Sequence, residues 1–179
     1  MNSRCYTSSI KAYLKGDYNM AKVSRAARVA SRQRVETLTG AKTIESAEAG
    51  ETYLITTVGT ITLPALQDGA YFKFVFKDDL AGLQSGNVTI AGKNSTDYMV
   101  GMGSVNHLNA NFSTHVPYRT AGAAKAADNH DTLVIADTAG DTNKVHAGSW
   151  IDCWSDGTYW YVSYELLVDH STQITATFT

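Results

Sequence analysis

The stretch from Gly148 to Ser163, GSWIDCWSDGTYWYVS, constrains the fold of this chain more than any other. Two runs rich in aromatic and β-branched residues flank Asp156-Gly157. Asp-Gly between such runs signals a tight hairpin, because glycine tolerates positive φ and aspartate tolerates the left-handed region. A two-residue turn sets Cys153 opposite Trp160 and Ile151 opposite Val162 on one side. Trp154/Tyr159 and Trp150/Ser163 then fall on the other. A slip of one residue would exchange the two faces.

The rest of the chain repeats this β style. Candidate strands run over Thr52–Thr57, Thr60–Leu63, Tyr71–Lys77, Asn87–Ile90, Tyr98–Val100, Thr132–Ala136, Ser149–Ser155, Tyr159–Val168 and Thr172–Phe178. In the third, Phe72, Phe74 and Phe76 point one way, the arrangement of a core-facing strand, while Tyr71, Lys73, Val75 and Lys77 point the other. Pro64 suits a strand end, since it cannot donate to a ladder. Asn106 to Asp131, with the Ala-rich TAGAAKAAD inside it, shows no clear element. The chain has 179 residues, 44% hydrophobic, with fourteen Gly and only two Pro, enough for one β-rich domain and an appendage. Short strands at even spacing predict an all-β body over residues 50–179, an antiparallel sandwich or jelly roll.

Charge divides the chain. Residues 1–40 hold eight bases and two acids, a net +6, whereas the remainder holds seven bases and fifteen acids, a net −8. Residues 1–49 therefore read as a basic arm and linker on an acidic body, with Thr37 to Gly50 a linker or a short strand entering that body. Within the arm, Ala21 to Val35 has helical spacing, with Val23, Ala26, Ala27 and Ala30 on one stripe and arginines opposite. A stripe of alanines buries little, so this short helix needs a partner surface. Lys22, Arg25, Arg28, Arg32 and Arg34 are the candidate docking cations. Lys15-Gly16-Asp17 can be encoded by a purine-rich ribosome-binding sequence ahead of Met20, so initiation at Met20 is an alternative to Met1.

The residue patterns of known chemistries do not occur. The five histidines lack metal-site spacing, no Gly-x-Ser-x-Gly or Walker loop is present, and most acids sit in turn-like contexts. A pair of carboxylates could serve glycoside hydrolysis, but nothing in the sequence selects a pair. Neither metal nor cofactor nor catalysis is expected. No run of about 18 apolar residues or leader-like apolar segment appears, so neither a membrane span nor a secretory signal is expected. Cys5 and Cys153 are too few for a disulfide framework; Cys153 reads as a buried small side chain, with a Cys5–Cys153 bridge as the minor alternative. The candidate surface residues of the body are Trp150, Trp154, Tyr159 and Tyr161. They could pack against a neighbouring subunit or stack on carbohydrate.

From Gly50 to Ser163 the chain resembles small β-domains of tailed-bacteriophage virions. The resemblance is carried by TITLPA, then a G-x-x-F-x-F segment, then G-x-W-I-x-x-x-S-D-G-T-x-W-Y-V. Such domains occur in head decoration (cement) proteins and in fibre-like modules. The resemblance implies a nonenzymatic virion structural protein, commonly a trimer, on the capsid exterior after assembly in the host cytoplasm. The expected partners are the major capsid protein and other copies of this chain. The first rival reading is a fibre or spike module that binds a host glycan. The second is nucleic-acid binding through the arginine-rich arm, against which the −8 body and the lack of aromatics among those arginines both count.

Overall fold

A computed structural model describes residues 34–83, 85–108, 115–120, 130–138, 143–169 and 174–179, with 115–120 known by strand course alone. In chain order the strands are β1 (Val35–Leu38), β2 (Lys42–Thr43), β3 (Thr52–Ile55), β4 (Gly59–Thr62), β5 (Asp68–Phe76) and β6 (Val88–Ala91). They continue as β7 (Met99–Leu108), β8 (His115–Thr120), β9 (Thr132–Asp137), β10 (Trp150–Asp156), β11 (Trp160–Val168) and β12 (Ile174–Phe178). A seven-stranded sheet in the order β1-β3-β5-β10-β11-β7-β8 packs on a five-stranded sheet in the order β12-β9-β6-β4-β2. The described body is thus an all-β sandwich, and its only helical element is the 3₁₀ turn Ser46–Glu48.

Alternation explains the packing. Along β5, Phe72, Phe74 and Phe76 are fully buried, while Tyr71, Lys73 and Val75 are only partly covered. β11 does the same with Trp160, Val162, Tyr164, Leu166 and Val168 inside. The facing sheet contributes Ile61, Val88, Ile90, Leu133, Ile135 and Phe178 to the same core. Cys153 is a free thiol within it, as its reading as a small buried side chain implied.

Three expectations are corrected. The pairing is mixed rather than antiparallel: β1–β3, β3–β5, β2–β4, β4–β6 and β11–β7 are all parallel. From β1 to β6 the chain steps alternately between the sheets, so neighbours within each sheet run the same way. Second, the sandwich begins well before residue 50. Val35–Leu38 pairs with β3, Lys42–Thr43 pairs with β4, and the compact unit starts at Arg34. Val35 therefore opens a strand rather than ending a helix, while 21–33 lie outside the described residues. Third, the hairpin register is shifted by two, with Cys153 opposite Val162, Trp154 opposite Tyr161 and Ser155 opposite Trp160. An even shift keeps every side chain on its expected face.

The turn chemistry accounts for that shift. Asp156 Oδ1 accepts hydrogen bonds from the amides of Thr158 (2.8 Å) and Tyr159 (3.0 Å). Ser155 Oγ accepts one from Gly157 at 3.0 Å, and Gly157 sits at φ +83°. Asp156–Tyr159 thereby closes as a four-residue loop, where a two-residue turn would forgo these side-chain bonds. Replacing Gly157 with Ala should cost about 1–2 kcal/mol, the penalty of a left-handed residue bearing Cβ. Urea unfolding of the variant against the parent measures it.

Tyr53 offers a sharper test of the core. Its ring is fully buried and stacks with Phe74 at 5.5 Å, yet its hydroxyl completes no hydrogen bond. Burial, then the nearby Glu48 and Glu51, push the phenol far above its ordinary range. Tyr53→Phe should raise stability by about 1 kcal/mol, because it removes a desolvated orphan donor and keeps the packing. Phe74→Ala should instead lower it by about 3–5 kcal/mol. Paired denaturant melts report both signs.

Candidate binding face

The outward face of the seven-stranded sheet collects the exposed apolar groups of the body. Among the described residues, the exposed large hydrophobics are Val35 (59%), Met102 (66%) and Trp154 (47%), and all three lie on this face. Strand register arranges the face into rows. The central row runs Val35, Thr52, Lys73, Asp152, Ser163, Met102 across six strands. One flanking row holds Tyr71, Trp154, Tyr161 and Val100. The other holds Leu54, Val75, Trp150, Glu165 and Ser104. Alternate residues along a strand are about 7 Å apart, so a polar trough of Lys73, Asp152 and Ser163 lies between an aromatic row and a mixed row whose one ring is Trp150.

Each group is held by its neighbours. Trp154 stacks on Tyr161 with ring centroids 4.1 Å apart and planes 13° from parallel. Tyr159, on the hairpin loop, meets Tyr161 edge-on at 6.5 Å. Tyr161 donates to Asp156 Oδ2 at 3.0 Å, and that bond raises its phenol pKa. Asp152 Oδ1 accepts from Tyr71 at 3.1 Å and Lys73 at 3.2 Å. The Lys73 ammonium also lies 5.0 Å from the centroid of Trp150, within cation–π range. Beyond Trp150 is a shallow cavity of about 270 Å³ lined by Met102, Gly103, Ser104, Trp150, Tyr164 and Glu165. Gly103 belongs there by necessity, because a Cβ would fall 2.3 Å from the Tyr164 ring.

No protein-family model matches this chain, and neither a curated protein nor a solved structure is similar to it. The site is therefore read from its own geometry. Trp154, Tyr159 and Tyr161 form one ring cluster, while Trp150 shares their face four residues away along β10. Tyr71, Lys73, Asp152, Met102, Ser104 and Glu165 join them unannounced. The alternation of Tyr71 and Lys73 with the phenylalanines did mark them as outward. What one sequence lacks is any sign that β5 lies beside β10, or β7 beside β11.

Other charged groups brace the frame. The Lys42 ammonium sits between Glu36 (3.1 Å) and Glu48 (2.9 Å), whose carboxylates cluster with that of Glu51. The bond to Glu48 holds the Lys42 pKa above its usual value. Arg34 pairs with Glu51 at 3.2 Å and so belongs to the body edge, while Lys22, Arg25, Arg28 and Arg32 lie outside the described residues. His146 bridges Asp169 (2.6 Å) and Asp79 (3.3 Å), tying the segment before β10 to the end of β11. Lys42→Ala should destabilise by about 1 kcal/mol, more at low salt, since it leaves Glu36 and Glu48 without their cation beside Glu51. Thermal melts at two ionic strengths test this.

The hairpin cap also sets a pH response. The amides of Thr158 and Tyr159 hold the Asp156 carboxyl below its ordinary value. A depressed folded-state pKa makes the cap's contribution complete above the unfolded value of about 3.9 and lost as pH falls through the lower folded value. The protection factors of the Thr158 and Tyr159 amides, measured against their intrinsic exchange at each pH, should fall in that acid window. In Asp156→Asn, which cannot titrate, the fall should be absent.

Proposed function

We propose that this chain is a noncatalytic structural protein of a virion, a decoration protein that attaches to a capsid shell through its basic N-terminal segment. The observation that carries this reading is the coincidence of a charge boundary with a fold boundary. The compact unit starts at Arg34, and residues 1–33 hold seven bases and one acid, whereas 34–179 hold eight bases and sixteen acids. Lys22, Arg25, Arg28 and Arg32 then act on partner carboxylates, where guanidinium binds in a bidentate manner. Each exposed pair is worth only about 0–1 kcal/mol, so attachment needs several together. The resemblance to virion β-domains supports the setting, since its G-x-W-I-x-x-x-S-D-G-T-x-W-Y-V motif forms β10 and β11 at the centre of the larger sheet. The major capsid protein is the proposed partner, and self-association as a trimer belongs to the same reading. The acidic body disfavours nucleic acid as the target.

Co-sedimentation with purified capsid shells tests the attachment. Binding should weaken as salt rises from 0.1 to 1 M, because the Debye length falls from about 10 to 3 Å. The 34–179 fragment should keep its β circular-dichroism spectrum and fail to sediment with shells. The full chain carrying Arg25→Glu, Arg28→Glu and Arg32→Glu should fail in the same way. Unchanged binding of either protein would place the anchor on the body instead.

A further inference from the structure

We propose that the outward face of the seven-stranded sheet is a binding site for a neutral oligosaccharide, which spans Trp154 and Trp150 and sets its hydroxyls over the Lys73–Asp152–Ser163 trough. This goes beyond shell attachment and uses a different part of the chain. Trp150 and Trp154 lie on one strand four residues apart, hence roughly 14 Å, with Asp152 midway on the same side. An aromatic ring face receives the apolar C–H face of a pyranose, while the polar row that crosses between the two tryptophans receives hydroxyls. A chain of sugars, rather than one, is needed to reach both rings. The 270 Å³ cavity beside Trp150 adds a recess with the Ser104 hydroxyl and the Glu165 carboxylate on its wall.

Charge selects this occupant over others. The core of a protein–protein interface is depleted of charged residues. Here Lys73, Asp152, Asp156 and Glu165 interleave with the rings, so a dry apolar partner would bury them at a loss. A second copy placed face to face over the trough would oppose Asp152, Asp156 and Glu165 to the same three, with only Lys73 and, past the end of β5, Lys77 on each side to offset them. The same excess of carboxylates repels sialylated, sulfated or phosphorylated chains. A neutral polyhydroxylated ligand meets neither penalty, and it can both donate to Asp152 and Glu165 and accept from Lys73. The rings are also fixed in advance: Trp154 by its stack on Tyr161, and Tyr161 by Asp156. Little side-chain freedom is left to lose on binding.

The test uses the full chain with cellotriose, maltotriose, laminaritriose, mannotriose and chitotriose as neutral probes, and sialyllactose and a heparin tetrasaccharide as anionic ones. Saturation-transfer NMR and tryptophan fluorescence read binding. At least one neutral trisaccharide should receive saturation and shift the emission. Trp154→Ala should weaken that ligand about tenfold or more, and Trp154→Phe should retain most of the affinity. Glu165→Gln, which preserves shape, should weaken it by a smaller factor. Trp154→Ala should still sediment with capsid shells, and the arginine-reversed chain should still bind the sugar, so the two proposals stand or fall separately. The inference is overturned if no neutral probe binds. Preference for the anionic probes overturns it, as does an affinity that Trp154→Ala leaves unchanged. Dissociation of an oligomer by Trp154→Ala in analytical ultracentrifugation would also overturn it, because the face would then be covered by a second copy.

Discussion

The alternation along β5 governs both sides of this molecule. Phe72, Phe74 and Phe76 are fully buried, and Phe72 meets Trp160 of β11 at 5.9 Å. Burying three such rings contributes several kcal/mol, so the parity of the strand is not negotiable. A one-residue slip would bring Tyr71 and Lys73 into the core and push the rings into water. The same parity aims Tyr71 and Lys73 at Asp152, because β5 and β10 pair antiparallel with Lys73 opposite Asp152. The polar trough on the outer face is thus a consequence of hydrophobic packing on the inner one.

Legibility in the sequence followed the range of the interactions. Period-two patterning exposed the inward residues of β5, β10 and β11, because burial on one face writes itself locally. The hairpin faces were legible for the same reason. Its exact register was not, because Asp156 and Ser155 satisfy loop amides with their side chains and so favour four residues over two. The parallel pairs were hidden for a different reason. Only three residues separate β3 from β4, a spacing that reads as a hairpin, yet the chain crosses to the other sheet there. β1 and β2 were legible only as a linker or short strand over Thr37–Gly50, because they are short. Val35 and Thr37, half of β1, face solvent and give little apolar signal.

Parallel neighbours at β1–β3–β5 and antiparallel ones at β5–β10–β11 also divide the labour. Successive crossings of the sandwich pin the first six strands to one another through both sheets. Lys42 and the carboxylates of Glu36 and Glu48 close this part at its edge. The hairpin then adds two long strands, β10 and β11, against a surface already formed. Its outward residues are the richest in aromatics, and they face no other described element. Both strands are interior to the sheet and paired on each side, so the rings stand on backbone with no free edge.

That placement bears on how strongly such a face can bind. Sheet faces are flat, so a single stacked ligand loses only part of its hydration and binds weakly. What a flat face offers instead is a fixed spacing between rings and no reorganisation on binding. The sequence of constraints can be followed atom by atom. Backbone amides of the loop position the Asp156 carboxylate, the carboxylate positions the Tyr161 hydroxyl, and the Tyr161 ring stacks on Trp154. A weak but rigid site gains most when many copies act at once, because a second contact from the same particle is intramolecular and proceeds at a high effective concentration. A protein repeated over a shell, as proposed above, would provide that repetition without any further contact in the individual chain. Under the two proposals the basic segment and the aromatic face would have complementary tasks: attachment by charge, which needs several exposed pairs, and recognition by shape, which needs only a few fixed rings.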